Sequence, residues 1–448
     1  MYDPADLIQE SVGKLFSRYL FPSICATIMI SINFFVDTLC IGRAMGEGGL
    51  AALNLSLPVT SLLYAVGSLL GVGGSTRYSA AMGRGEIDEA QKIYTLSTLL
   101  CLVVSLLLMA LGVLFLPQLV TFMGGTGGSR QGVTDYLRYV VWFIPVFTGE
   151  MFYNIFVRND RSPRYAMFCT LCGSSTNILL DVLFIFVFDW GMAGASLATS
   201  LSICISLGLL LCYTRRSECL LRLQKISLRL SEICQILRVG FSNFLLEITT
   251  GVVTFVFNMV LLRLAGENGV AAYGIVANLT IVVTATLNGV SNAMQPIVSA
   301  NAGAGLGGRV TRTVRLAIFC ALGFGLLFAL AGEVFSVPLV RTFVSAEGGF
   351  LAMSARAVRI IFLSYLPAGV NIVLTVYLQS IQAAKEAITL SLLKGVVLPS
   401  VMVMLCGFLF GLTGVWVSTI LSEGAILLCA LLLCRGAGQK FAAYQPVE

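Results

Sequence analysis

The sequence predicts an all-α polytopic membrane protein: twelve transmembrane helices in two six-helix lobes related as parallel repeats. Three observations carry this. Only 11% of the 448 residues are charged, against about 25% in soluble proteins, while 57% are hydrophobic and the mean hydropathy is +0.92. Twelve apolar segments of span length follow one another along the chain. The sequence also matches itself when slid by 220 residues.

Residues up to Ser17 are polar and weakly amphipathic and read as a cytoplasmic surface segment. The apolar segments then fall near 18–40, 50–73, 93–117, 134–157, 165–188 and 191–214 in the first half. In the second half they fall near 239–264, 270–297, 314–335, 355–382, 386–410 and 412–434. Gly, Pro and charge mark the breaks: Gly46–Gly49, Gly83–Gly85, Gly124–Gly128, Arg158–Arg164, Gly266–Gly269, Gly303–Gly308 and Gly348-Gly349. No short signal-type apolar region with a cleavage site precedes the first segment, which reads as a span itself.

Twelve spans put both termini on one side. Of the 28 Lys and Arg, roughly three quarters lie on the terminal segments and the even-numbered connections, so the positive-inside rule makes both termini cytoplasmic. The excess accounts for the net charge of +6 without nucleic acid. A multi-pass protein of the cell (plasma or inner) membrane, working as a monomer, is expected. The longest charged connection, Arg215–Arg238, alternates Arg216, Arg222, Lys225 and Arg229 with apolar residues and reads as lying on the inner membrane surface. It divides the chain into an N-terminal lobe (1–214), a linker (215–238) and a C-terminal lobe (239–448).

The 220-residue offset places Leu50-Ala51-Ala52-Leu53 on Val270-Ala271-Ala272-Tyr273, and Gly83 and Gly85 on Gly303 and Gly305. Gly191, Gly194 and Thr199 fall on Gly411, Gly414 and Thr419. One ungapped offset is expected across about 150 residues, with a substrate cavity between the lobes. The repeat also exposes an inequality. Asp37 maps to Phe257, Asn177 to Val397 and Asp181 to Val401, so the carboxylates belong to the first half alone.

Asn177 and Asp181 are four apart and share a helix face. Asp181 precedes, and Thr199 follows, the Asp189-Trp190-Gly191 turn by roughly 13 Å of helix, close to the middle of a hydrocarbon layer about 30 Å thick. Asp37 lies at a similar depth below the Gly46 break. A carboxylate there costs about 2.5–3.5 kcal/mol on insertion scales, so it needs a partner or a task. Two such groups meeting in low dielectric cannot both stay ionised without a cation, and they titrate jointly. The set therefore fits H⁺, or Na⁺ with oxygen ligands from Asn177 and Thr199. Taken alone, Asn177 and Thr199 read better as polar contacts between helices.

Further intramembrane acids are Glu247, a candidate substrate or proton contact, and Glu150 and Glu423, which read better as hydrogen-bonded structural groups. Met29, with Met151, Met259, Met294, Phe34, Phe152, Phe255 and Tyr377, is a candidate for an adaptable cavity lining. At helical spacing such residues are more often lobe core or lipid-facing. The chain has no His, and its 13 Cys lack disulfide or metal spacing. GVGG at 71–74 has no following Lys, and the two Asp lack an aspartyl-hydrolase setting. An enzyme is not expected, nor a cofactor beyond the coupling ion.

Seven stretches together resemble the MATE (multidrug and toxic compound extrusion) family over nearly the whole chain. They are VDTLCIGRAMGEGGLAALNLSLP at 36–58, RNDRSPRYAM at 158–167, NILLDVLFIF at 177–186 and GMAGASLATSLS at 191–202, then VGFSNFLLE at 239–247, QPIVSANAGAG at 295–305 and LFGLTGVWVST at 409–419. The resemblance implies two six-helix lobes around a central cavity. It implies export of organic cations or amphipathic drugs in exchange for inward H⁺ or Na⁺. In one branch the cation site falls on Asp37, Asn177, Asp181 and Thr199. Another branch uses a C-terminal Glu and Asp; Glu247 matches that Glu, but Asn371 stands where the Asp would be. The alternative is a flippase for lipid-linked saccharides, which would place several basic groups in the cavity to hold pyrophosphate. Here the basic residues cluster at the cytoplasmic edge, and only Lys394 approaches the membrane interior.

Overall fold

The computed structural model describes residues 6–123, 129–217, 219–226, 229–342 and 349–443. The sequence breaks expected at Gly124–Gly128 and Gly348 lie outside these residues. Among the described residues the chain is helical, with no strand. In the first half the spans are α1 (Val12–Gly46), α2 (Gly48–Gly83), α3 (Ile87–Leu114), α4, α5 (Pro163–Val187) and α6 (Gly191–Tyr213). α4 is a bent pair, Arg130–Trp142 with Ile144–Asn159, broken by 59° just ahead of Pro145. In the second half come α7 (Leu230–Gly266), α8 (Asn268–Gly303), α9 (Gly307–Arg341) and α10, another bent pair, Gly349–Leu363 with Tyr365–Ser380, broken by 42°. The last stretch, Ala384–Gly438, is divided at Gly411, where φ is 59°, giving α11 (384–410) and α12 (412–438). Among the described residues that makes twelve spans. The helices overrun the apolar segments at both ends, because hydropathy marks the hydrocarbon layer and helix hydrogen bonding continues past it.

The repeat is written in the backbone. Left-handed glycines recur at Gly46 and Gly266 (φ 61° and 62°), Gly85 and Gly305 (78° and 75°), and Gly191 and Gly411 (53° and 59°). Each pair is 220 apart, and each sits at a turn that an L side chain would strain. The ungapped offset, however, needs correcting. The turns at Arg161 and Gln382, both at positive φ, are 221 apart. The second half therefore holds one extra residue before its α10 turn, and α5 holds one more than α11. On that register Asn177 and Asp181 correspond to Leu398 and Met402 rather than Val397 and Val401. These too are apolar, so the first half still carries the carboxylates alone.

The chain packs as two compact units. One is built on Cys25–Glu247, the other on Leu7–Ile24 with Ile248–Glu448. They do not divide where the sequence breaks divide the chain. α1 starts in the second unit and ends in the first, changing over two residues after Pro22; α7 does the reverse at Glu247. Close backbone approaches fix each helix start. In the first unit, a Cβ on Gly240 of α7 would overlap the Leu69 carbonyl of α2. In the second unit, a Cβ on Gly289 of α8 would lie 2.7 Å from Cα of Ile24.

The linker is tied to the first unit, while Arg222, Leu223 and Lys225 stay exposed. Residues 219–226 form no surface helix. Cys219 and Leu221 are buried in the first unit's core beside Tyr78, Phe152 and Phe156. The Leu220 N–H donates to Asp160 Oδ2 at 3.1 Å, Gln91 Nε2 donates to the Leu220 carbonyl at 3.3 Å, and the Gln224 N–H donates to Thr95 Oγ1 at 3.0 Å. These bonds satisfy the backbone of the segment within the protein.

Candidate functional site

α5 and α6 meet through small residues. A Cβ on Gly173 would reach 2.9 Å from Cβ of Ser206, and one on Gly194 would reach 3.0 Å from the Phe184 carbonyl. Such close approach is how small residues join membrane helices. It brings Asn177 of α5 against Thr199 of α6: Asn177 Nδ2 lies 3.5 Å from Thr199 Oγ1 and 3.4 Å from Asp181 Oδ1. Both contacts are at the long limit for a hydrogen bond. The Thr199 hydroxyl itself donates to the Ala195 carbonyl at 3.1 Å, which leaves its lone pairs facing Asn177. Asp181 and Asn177 are 0% and 1% exposed.

Asp37, on the part of α1 that belongs to the same unit, is 7% exposed and interacts electrostatically with Asp181. The charges of both carboxyls bear on Cys40 and Tyr136 as well. Three oxygens here are buried without any hydrogen-bond partner: Asp37 Oδ1, Asn177 Oδ1 and Asp181 Oδ2. Leaving each unsatisfied costs about 1–3 kcal/mol, more for a charged group. Such oxygens suit a cation with oxygen affinity, and a proton would satisfy one of them and relieve the charge. Among the described residues no cluster of three Cys, Asp or Glu suits a metal ion. Immediately after Asp181 the helix widens into a π turn, Val182–Val187, an irregularity frequent at functional sites.

Cys40, Tyr64 and Tyr136 complete the surroundings and were not singled out from the sequence. Cys40 is three residues beyond Asp37 on one helix face, so spacing alone identifies it. Tyr64 feels both Glu150 and Asp37, and no sequence signal links it to either. Glu150 accepts from Ser206 Oγ at 3.0 Å, and neighbouring Asn154 donates to Thr170 Oγ1 at 2.9 Å. Glu247 is exposed, at the last residue before α7 changes unit. Asn371 is fully buried and donates to Glu423, so its polar partner is on α12. Met29 is partly exposed, whereas Phe152 and Met294 are core.

Outside the spans, Asp160 is a buried acid with several donors. Tyr78 and Tyr213 hydroxyls and the Leu220 N–H all donate to it. Burial pushes its carboxyl above the ordinary value, and these bonds, with the Arg161 charge, hold it back. Burial pushes the nearby Cys219 thiol up to about 12, with Asp160 adding to the effect.

Twelve helical spans in two like-built halves, one of them holding a buried acidic pair, define a polytopic membrane transporter. The model of the MatE family matches residues 22–183 and 244–417, and the chain belongs to that family. The multidrug export protein MepA of Staphylococcus saprophyticus is 24% identical over 430 residues, covering 95% of this chain and 94% of its own. MepA of Staphylococcus aureus is likewise 24% identical over 435 residues, with the same shares. A multidrug resistance MATE family transporter of the MOP superfamily, in its outward-facing conformation, superposes with a TM-score of 0.93 at 20% identity over 99% of both chains. A MOP superfamily transporter from Pyrococcus furiosus, whose binding pocket is described as reversed in polarity, superposes at 0.91 and 20% identity over 98% of this chain and 99% of its own. At these identities the likeness to solved structures shows the fold.

Proposed function

We propose that the protein exports amphipathic or cationic drug-like compounds in exchange for inward H⁺ or Na⁺, from a cell membrane in which both termini are cytoplasmic. The observation that carries this is the trio of unpartnered buried oxygens on Asp37, Asn177 and Asp181. The multidrug export function in the names of its relatives supports the substrate class.

Asp37 and Asp181 would hold the charge of the incoming ion, with Asn177 and Thr199 supplying neutral oxygens. An inward-moving charge gains about 2.3 kcal/mol per 100 mV, enough to drive export only if ion and substrate favour different arrangements of the protein. α1 is the natural link. It carries Asp37 within one unit and begins in the other, and Pro22 beside the changeover removes a backbone hydrogen bond and permits a bend. Ion loading at Asp37 would bias that bend, and by reciprocity substrate would weaken ion binding by the factor with which the ion weakens substrate binding.

The test is transport of ethidium in inside-out vesicles under an imposed pH gradient, and separately under a Na⁺ gradient. Uptake driven by one of them is expected. Uptake that follows neither, or that needs ATP, would refute the exchange reading.

A further inference from the structure

Lys394 has no part in the exchange site. It lies in the second unit, in a π turn of α11, Leu393–Val397. Asn371 is nine residues before the end of α10 at Ser380, and Lys394 ten after the start of α11 at Ala384, so both lie roughly 14 Å of helix from their shared turn. That is near the middle of a hydrocarbon layer about 30 Å thick, where an ammonium is expensive. Lys394 and Glu423 of α12 are each partly buried and act on one another electrostatically, yet among the described residues' ion pairs the two are not joined.

Asn371 explains why one charge stays put. Its amide Nδ2 donates to Glu423 Oε2 at 2.7 Å and to the Glu423 carbonyl at 2.9 Å. With two acceptors on that side, the amide cannot be reversed. Its Oδ1 is then buried with no partner, and Asn371 is 0% exposed. The group thus presents an ammonium with unused donors, a carboxylate with spare acceptor capacity, and an orphan carbonyl oxygen. Its formal charge sums to zero. The acidic pair in the first unit is different: it sums to minus two and calls for a bare cation.

We propose that Asn371, Lys394 and Glu423 form a second intramembrane site, which takes the headgroup of a zwitterionic amphiphile. The ligand carboxylate meets Lys394, while its ammonium N–H groups meet Glu423 and Asn371 Oδ1. A neutral but dipolar site gains little from a ligand of one charge, because one of its own charges is left buried and unpaired. A ligand with both charges satisfies both ends without adding net charge to low dielectric. The inference rests on the export reading for its substrate class.

Three probes share one tail and differ only in the head: N-octyl-β-alanine, octylammonium and octanoate. Binding is measured by titration calorimetry at pH 7 on the full chain in lipid nanodiscs, with no ion gradient. The wild type should bind the zwitterion about tenfold or more tightly than either singly charged probe. Lys394→Met should bring it down to the level of octylammonium, and Glu423→Gln to that of octanoate; Lys394→Gln replaces the first variant if that one does not fold. Equal binding of all three probes by the wild type, or a zwitterion preference that survives both substitutions, overturns the site. Since no gradient is used, a chain that failed to exchange ions would still show the preference. Export in vesicles without any preference would sink this site alone.

Discussion

Asn177 Nδ2 lies 3.4 Å from Asp181 Oδ1, one turn along the same helix, and this loose contact leaves one oxygen on each side chain without a donor. The pair is arranged to accept something. Asp37→Asn and Asp181→Asn should each abolish gradient-driven efflux while the protein remains folded in the membrane. Asn177→Ala removes a neutral oxygen only, so transport should persist but need about tenfold more of the coupling ion, a loss of about 1.4 kcal/mol. Vesicle transport across an ion titration checks both; wild-type behaviour in either Asp variant refutes the assignment.

Asp160 should make the linker sensitive to pH. Its folded-state pKa is raised by burial, so the folded form favours its protonated state. That contribution is complete below the unfolded value of about 3.9 and is lost as pH rises through the raised one. Hydrogen exchange at the Leu220 amide, corrected for its intrinsic rate, should therefore show easier opening at pH 7 than at pH 4. In Asp160→Ala the pH trend should vanish. Opening should also be at least about tenfold more frequent, because Tyr78, Tyr213 and the Leu220 N–H lose their acceptor. A pH trend that survives the substitution would place its origin elsewhere.

The close approach of α7 to α2 predicts a stability effect. Gly240→Val puts atoms into the Leu69 carbonyl and forces the helices apart. Overpacking of this kind costs about 1–3 kcal/mol, so the melting temperature in detergent should drop by several degrees. Gly274→Ala, where nothing lies within 4 Å of the added Cβ, should leave it unchanged.

Orientation is open to direct labelling. Lys14→Cys and Asp189→Cys lie at opposite ends of spans. In intact cells a membrane-impermeant maleimide should modify the Asp189 variant, and should reach the Lys14 variant only after permeabilisation. The reverse pattern would invert the topology and with it the direction of transport.

Composition and hydropathy decided the class, because a bilayer admits only closed hydrogen bonding and apolar surface, and both are local properties of a span. The repeat was legible too, since Gly46, Gly191 and their partners must take positive φ wherever the fold places that turn. Asn177 and Asp181 were legible as neighbours because four residues make one helical turn, and Asp37 only as an acid of similar depth. The one-residue slip between Arg161 and Gln382 was not legible, as the turn there uses no glycine to mark it. The exchange of α1 and α7 between units was equally invisible. It depends on which helix offers a glycine to the other, as Gly289 does to Ile24, and such contacts join residues far apart in the chain. For the same reason the sequence showed Lys394 only as a basic residue approaching the membrane interior. Only packing shows that Glu423 neighbours it while Asn371 holds that carboxylate, because the three residues sit on three different helices.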